Sequence, residues 1–322
     1  MRAILLGSLL TTLAGAAAWP TDARFTRATD LHTASEGFAL VVMLDGKIVH
    51  EDYRAGGQPG RAGELASGTK SFAGVLALCA EEDGLLSLDE RVSAIIEEWR
   101  DDNRRDITIR QLLTLTSGIP GGRIGHPPSY REAVRAVAVA KPGELFSYGP
   151  QPLQVFGEVL RLRLGVTEEC VAGYLDRRIF YPLQIRPAWW RRDEDGHPHL
   201  PSGARLTARD WAIFGEMVRR DGHGVLPPGK LAQLFVGTEA NPGHGVTWWL
   251  PAQGPVGAVG KRAVADDLLP RDTWVAAGAG GQRLVVIPSL KLVAVRLAPV
   301  RLHETGFDDH SWLVALVTAA RS

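Results

Sequence analysis

Strand-like segments lie near both ends of this 322-residue chain, and helix-like segments occupy the region between them. Near the start, two extended runs at 38–44 and 47–53 flank Asp45-Gly46. An Asp-Gly pair between two such runs is the strongest short-range signal for a β-hairpin. Three more strand-like runs follow near the other end, at 274–277, 283–287 and 291–297. The sequence therefore predicts an α+β fold in which one antiparallel sheet is assembled from both ends of the chain.

Several agreeing signals predict helices in the region between the strands. Ser129-Tyr-Arg-Glu132 is a capping box that predicts a helix continuing through Ala140. Thr207-Ala-Arg-Asp210 opens another helix, and Gly165 ends a third. A final amphipathic run at 312–317 predicts a helix that closes the chain.

No internal repeat and no long linker divides the chain into separate domains. We therefore expect one structural unit at 19–322. Its sheet region would comprise approximately 30–84 plus 246–322, and its mostly helical region approximately 85–245.

Residues 1–18 have the pattern of a cleaved secretory signal peptide. Met1-Arg2 is followed by an apolar run that ends in small residues at Ala18. A charged start, a short apolar core and small residues before the cleavage point are typical of such signals. The run is shorter than the roughly 20 residues of a membrane span. We expect an exported protein, periplasmic or secreted, with no membrane span after cleavage; an uncleaved anchor or a buried first helix are the alternatives.

The charge balance argues against nucleic-acid and membrane-surface binding, and the cysteine content argues against a cysteine metal site. Lys and Arg total 36, as do Asp and Glu, so the formal net charge is +0 and no basic surplus is available for a nucleic acid or an anionic membrane. The two cysteines, Cys79 and Cys170, lack the spacing of a metal site. Export would permit a disulfide between them, but two core thiols fit the sequence at least as well. The oligomeric state stays open.

Ser67-Gly-Thr-Lys70 is the first candidate for a catalytic motif. An apolar helical pattern follows it and ends at Asp83-Gly84. At a spacing of i and i+3, the serine hydroxyl and the lysine amine share one face of a helix, so the amine can take the hydroxyl proton. The base role requires surroundings that lower the lysine pKa. A capping serine beside a solvated lysine is the alternative for this pair considered alone.

Two further segments add candidates. Tyr148 precedes a predicted helix, where its phenol can relay a proton between a nucleophile and a leaving group, although an ordinary half-buried tyrosine would look the same. The strand that begins at Trp274 ends in Gly278-Ala-Gly-Gly281. Glycines there allow a close approach to bare backbone N–H groups, and a simple hairpin turn is the alternative.

In this order and spacing, the segments resemble the serine β-lactamase and penicillin-binding protein superfamily, in particular its esterase and 6-aminohexanoate-dimer hydrolase branch. Ser67-Gly-Thr-Lys70 matches the S-x-x-K motif. The segment 109–118 resembles the family's LLTHTSG stretch, with Leu115 in place of its histidine. Further matches occur at 84–92, 181–183, 206–210 and Trp248-Trp249. The resemblance implies a three-layer α/β/α arrangement of the β-lactamase/transpeptidase type.

The resemblance also implies roles for individual residues. Ser67 would be the acylated nucleophile, Lys70 its base, and Tyr148 the tyrosine of the family's Y-x-N motif. The backbone N–H groups of Ser67 and Ala279 would form the oxyanion hole. Candidates for the substrate pocket are Trp274, Gly278 and Pro150. The resemblance implies no metal and no organic cofactor.

Two departures from the family pattern bear on the substrate. Pro150 replaces the asparagine of Y-x-N, and Ala276-Ala277-Gly278 replaces K-T-G. The amide, cation and hydroxyl that would hold an anionic β-lactam are therefore missing, and a charge-assisted hydrogen bond contributes roughly 1.5–3 kcal/mol. These departures favour an uncharged small-molecule ester or linear amide as substrate. The alternatives are a non-catalytic binding or envelope protein with this fold and, third, a β-lactamase or DD-carboxypeptidase.

Overall fold

The structure is a computed structural model, and it describes residues 19–165, 168–254, 268–301 and 306–322. The predicted signal segment, 1–18, lies outside the described residues. The strands are β1 (Ala39–Leu44), β2 (Lys47–Tyr53), β3 (Gly63–Glu64), β4 (Trp189–Trp190), β5 (Ala204–Leu206), β6 (Trp274–Gly278), β7 (Gln282–Ile287) and β8 (Leu292–Leu297). The helices are α1 (Thr26–Ala34), α2 (Lys70–Glu82), α3 (Ile109–Leu113), α4 (Tyr130–Val134), α5 (Gln151–Leu164), α6 (Val171–Leu175), α7 (Tyr181–Leu183), α8 (Ala208–Arg219) and α9 (Asp309–Arg321).

Five antiparallel strands form the central sheet in the order β2–β1–β8–β7–β6. The pairing of β1 with β8 joins the early hairpin to the late strands, so the prediction of one sheet built from both ends is confirmed. Asp45 and Gly46 take φ values of 48° and 78°, as the predicted two-residue hairpin turn requires. The order leaves β6 at one edge of the sheet.

Helices cover both faces of the sheet. Alternate strand residues such as Val41 and Val293 face a core shared with α2 and α8, whereas Val42 and Ala294 face a core shared with α1 and α9. Because both faces are buried, these strands are almost continuously apolar. The fold is therefore the expected three-layer α/β/α arrangement.

The helix predicted from Ser129 through Ala140 is shorter than expected. Ser129 and Glu132 do form the capping box, but α4 ends at Val134. Five residues later the backbone N–H of Val139 donates to the carbonyl of Gly118 at 2.9 Å. This contact draws the segment toward an earlier loop, and a β-branched residue such as Val139 gives little resistance to leaving a helix.

The two cysteines are free thiols. Cys79 is buried in α2, and burial raises the pKa of its thiol to about 12. Cys170 is exposed and precedes α6, where its Sγ accepts a hydrogen bond from the backbone N–H of Gly173. The bridge is therefore absent, and only one of the two is a core thiol. None of the helices in the described ranges is both long and apolar enough to cross a membrane.

The buried histidine His32 makes folding stability sensitive to acid. Burial, with smaller contributions from Arg296 and Arg54, lowers the pKa of His32 to about 3. In the unfolded chain the pKa of the imidazole would be near 6.5. Below that pH the unfolded state therefore binds a proton that the folded state does not bind. This contribution to stability is complete above pH 6.5 and is lost as the pH falls toward 3.

We expect the His32 effect to lower the free energy of unfolding by about 2 kcal/mol between pH 7.5 and pH 5. Urea unfolding at both pH values checks this, because His32→Phe removes the titrating group and should lose less stability on acidification than the wild type. The exposed His126 provides the matched control, His126→Phe. Equal losses in the wild type and His32→Phe would contradict the prediction.

Candidate active site

Ser67 lies in a tight turn that leads directly into a helix. The turn is a 3-10 segment, Ala66–Thr69, and α2 begins at the next residue. Ala66 has a φ of 46°, in the left-handed region that residues with a Cβ rarely adopt. Such strain costs about 1–3 kcal/mol and often marks a functional site. The turn leaves Ser67 half-buried at the N-terminal end of α2.

Lys70 contacts Ser67 as the i, i+3 spacing predicts. Its Nζ donates to Ser67 Oγ at 3.1 Å and to the carbonyl oxygen of Pro201 at 2.9 Å. The side chain is only 4% exposed. Both hydrogen-bond partners are uncharged oxygens, and neither is a carboxylate. The amine is within hydrogen-bond distance of the serine hydroxyl, as proton transfer between the two requires.

Pro201 supplies an acceptor that the sequence analysis missed. Pro150, which replaces the asparagine of Y-x-N, is buried at the start of α5 and offers no amide group. The Pro201 carbonyl lies 131 positions from Lys70 in the chain and holds its amine instead. A backbone carbonyl can come from any residue type, so no sequence signal could have identified Pro201.

Thr69 ties the Pro201 loop to the Ser67 turn. Its buried Oγ1 donates to the carbonyl of Ala66 at 2.7 Å. The same oxygen accepts from the backbone N–H groups of Gly203 and Ala204, each at 3.2 Å. One hydroxyl therefore supports the strained residue before Ser67 and also the loop that carries the Lys70 acceptor.

Tyr148 joins this group from another loop. Lys70 Nζ lies 4.9 Å from the centroid of its ring, and the ring also packs against Trp249 at a centroid distance of 5.4 Å. The structure thus brings Ser67, Lys70 and Tyr148 together. Close backbone packing holds the loop, because a Cβ at Gly149 would lie 2.1 Å from the carbonyl oxygen of Gly121.

The end of β6 reaches the Ser67 turn. A Cβ at Gly278 would lie 2.1 Å from the carbonyl oxygen of Leu65 and 3.1 Å from the nitrogen of Gly68, so only glycine permits this approach. On the outer edge of β6, Val275 exchanges two backbone hydrogen bonds with Trp249, both at 2.9 Å. Backbone groups of alternate residues point to the same edge of a strand. The alternation directs the N–H of Ala279 toward that outer edge.

Trp274 is not brought to Ser67. It begins β6, and four residues at about 3.3 Å each separate it from Gly278 by roughly 13 Å. Its ring stacks on Phe235. Trp249 is the tryptophan that contacts Tyr148.

His244 is a buried neighbour that the sequence analysis did not single out. Its ring lies edge-on to Trp249 at a centroid distance of 4.7 Å and 5.1 Å from Phe146. Burial, with a smaller contribution from the charge of Lys70, lowers the pKa of His244 to about 3. The imidazole is therefore neutral at physiological pH, and together with the two aromatic rings it forms an uncharged wall near Lys70.

We expect Thr69→Val to lower the free energy of unfolding by about 1–3 kcal/mol, because it leaves two buried N–H groups without their acceptor. Thr69→Ser keeps the hydroxyl and is the matched control, which should retain most of the stability. Urea unfolding of both variants measures the difference. An equal loss in the two variants would show that the hydroxyl bonds contribute nothing.

Comparisons with known proteins place this geometry in a family. A sequence model described as Beta-lactamase matches residues 23–319. Protein flp of Staphylococcus aureus (strain MW2) is 25% identical over 191 residues, which cover 53% of this chain and 38% of that protein. The chain therefore spans well under half the length of the curated relatives it matches.

Solved structures share the fold at low sequence identity. A Bacillus anthracis protein described provisionally as a 6-aminohexanoate-dimer hydrolase superposes with a TM-score of 0.68 at 20% identity, over 84% of this chain and 75% of that chain. A family VIII carboxylesterase superposes with a TM-score of 0.69 at 14% identity, over 94% of this chain and 99% of that chain. Because the family match extends over nearly the whole described fold, the chain belongs to the Beta-lactamase family.

Proposed function

We propose that this protein is an exported serine hydrolase that cleaves an uncharged ester or linear amide through an acyl-enzyme on Ser67. The observation that carries the proposal is the 3.1 Å contact between Lys70 Nζ and Ser67 Oγ at the start of α2. Family membership supports serine hydrolysis in general. The similar structures described as a 6-aminohexanoate-dimer hydrolase and a family VIII carboxylesterase are consistent with either bond type.

The first half-reaction forms the acyl-enzyme. Lys70 Nζ takes the proton from Ser67 Oγ as this oxygen attacks the substrate carbonyl. The carbonyl π bond opens, and the resulting oxyanion accepts hydrogen bonds from the backbone N–H groups of Ser67 and Ala279. When the oxyanion collapses, the bond to the alcohol or amine breaks, and Tyr148 delivers the proton that the leaving group needs.

Water completes the second half-reaction. Tyr148, which gave its proton to the leaving group, takes a proton from the water as it attacks the acyl carbon, and the tetrahedral intermediate forms in the same oxyanion hole. Its collapse breaks the bond to Ser67 Oγ, which regains its proton from Lys70. The products are a carboxylic acid and the free enzyme, and the steps require no group beyond these residues and water.

The surroundings of the site favour an uncharged substrate. Tyr148, Trp249 and Phe146 pack together beside Lys70. Ala276 and Ala277, which stand in place of the family's cation and hydroxyl, present buried methyl groups. A substrate carboxylate would therefore lose hydration without gaining a charged partner at these positions.

A fluorophosphonate probe tests for the activated serine. We expect the intact mass of the wild type to increase by one adduct, which Ser67→Ala abolishes. Lys70→Ala should slow the reaction by about 10²- to 10⁴-fold, the range of general-base catalysis. Ser202→Ala, in the loop that contains Pro201, is the control and should react like the wild type. An inert folded wild type would overturn the proposal in favour of a non-catalytic protein.

A matched pair of esters tests the charge preference. We expect p-nitrophenyl butyrate to be hydrolysed with a kcat/KM at least about tenfold higher than mono-p-nitrophenyl succinate, since one missing charge-assisted bond corresponds to that ratio. Steady-state release of nitrophenol measures both. A preference for the anionic ester, or faster turnover of a chromogenic cephalosporin, would point to a β-lactamase instead.

A further inference from the structure

A buried arginine, Arg283, donates a hydrogen bond to the peptide unit that joins Gly278 to Ala279. Nη1 of Arg283 donates to the carbonyl oxygen of Gly278 at 2.9 Å and to that of Gln282 at 2.8 Å. Its Nε and Nη2 bond to the two carboxylate oxygens of Asp309, the second at 2.7 Å. Arg283 and Asp309 are each only 5% exposed.

The Arg283 contact determines where the Ala279 N–H points. The peptide unit between Gly278 and Ala279 is planar, and the C=O and N–H of a trans unit point in opposite directions. A donor that holds the Gly278 carbonyl on the β7 side therefore directs the Ala279 N–H away from β7, at the end of the strand that packs against the Ser67 turn. The same hydrogen bond polarises the amide and strengthens its N–H as a donor.

The chain restrains this peptide on one side only, because Gly278 is the last residue of β6 and pairs with Gln282, whereas Ala279 lies beyond the strand. Gly278 has no side chain, and Gly280 and Gly281 follow with φ values of 79° and 77°. Glycine has more conformational freedom than any other residue, so a run of this kind defines an amide direction poorly. A planar guanidinium that binds a carboxylate with one side and two carbonyls with the other supplies the missing restraint.

We propose that Arg283, held by Asp309, is a positioning residue that orients the Ala279 amide in the oxyanion hole. The inference rests on the proposed function. Asp309 is the first residue of α9, so this pair links the last helix of the chain to the reacting site. Arg283 itself touches no reacting atom.

The test compares two buried arginines, Arg283 of β7 and Arg296 of β8, which donate to different carbonyls of the same turn. In Arg283→Lys, a single ammonium cannot reproduce the fork that joins Asp309 to the Gly278 carbonyl. Arg296→Lys is the matched control, because Arg296 donates to the carbonyls of Gly281, at 2.7 Å, and Gly280, at 3.4 Å, rather than to that of Gly278. Both variants change a buried guanidinium, so losses of stability are expected in both.

Steady-state kinetics with p-nitrophenyl butyrate separates positioning from a structural role. Removal of an oxyanion-hole donor lowers kcat by about 10²- to 10³-fold, and a misdirected donor should lower it by at least about tenfold. We expect Arg283→Lys to lower kcat by at least about tenfold while KM stays within about twofold of the wild type. The variant should also bind a boronic acid that mimics the tetrahedral intermediate at least about tenfold less tightly. Arg296→Lys should keep kcat within about threefold. Equal kcat losses in the two variants would overturn the proposal.

A crystal structure of Arg283→Lys gives a second readout that needs no turnover. We expect the peptide between Gly278 and Ala279 to have rotated, and an unchanged peptide would overturn the inference. An inert wild type in the fluorophosphonate test would overturn the proposed function, and the catalytic role of Arg283 with it. In that case the crystal structure would still decide whether the arginine holds the peptide.

Discussion

The position of the candidate site depends on close packing between two backbone segments, the end of β6 and the turn that carries Ser67. The Leu65 carbonyl lies where residue 278 would carry a Cβ, so β6 can approach the Ser67 turn only because that residue is glycine. This approach connects the central sheet to the helix that carries Lys70. The loop of Tyr148 reaches the same place through a second glycine contact, between Gly149 and Gly121. The site is therefore assembled by backbone contacts, and its side chains project from positions that these contacts determine.

The sequence predicted the parts of the fold that local patterns encode. The hairpin at Asp45-Gly46 and the late strands follow from short runs with strand-forming residues and from turn chemistry, and the Ser67–Lys70 contact follows from helical spacing. The helix after Ser129 was overestimated because its end depends on a hydrogen bond to the distant Gly118. A capping box defines where a helix begins and contains no information about such a contact.

The remaining features of the site depend on contacts between distant segments. The Pro201 carbonyl accepts a hydrogen bond from Lys70, and nothing in the sequence distinguishes Pro201 from an ordinary loop proline. Trp274 was predicted to line the substrate pocket, but it begins β6, and the length of that strand carries it away from Ser67. The histidine against Trp249, His244, precedes a glycine in an unremarkable segment, and only the packed structure places it near Lys70.

The pairing of β1 with β8 has a consequence for how this protein folds. Arg296 of β8 bonds to Ser35, 261 residues earlier in the chain, so the sheet cannot close until nearly the entire polypeptide is available. Contacts of such long range slow folding, because the chain entropy must be lost before the contacts form. The strand that brings Gly278 to the Ser67 turn belongs to this late-forming sheet. A nascent or truncated chain would therefore carry its serine and lysine on a local helix while the opposite wall of the site is still absent.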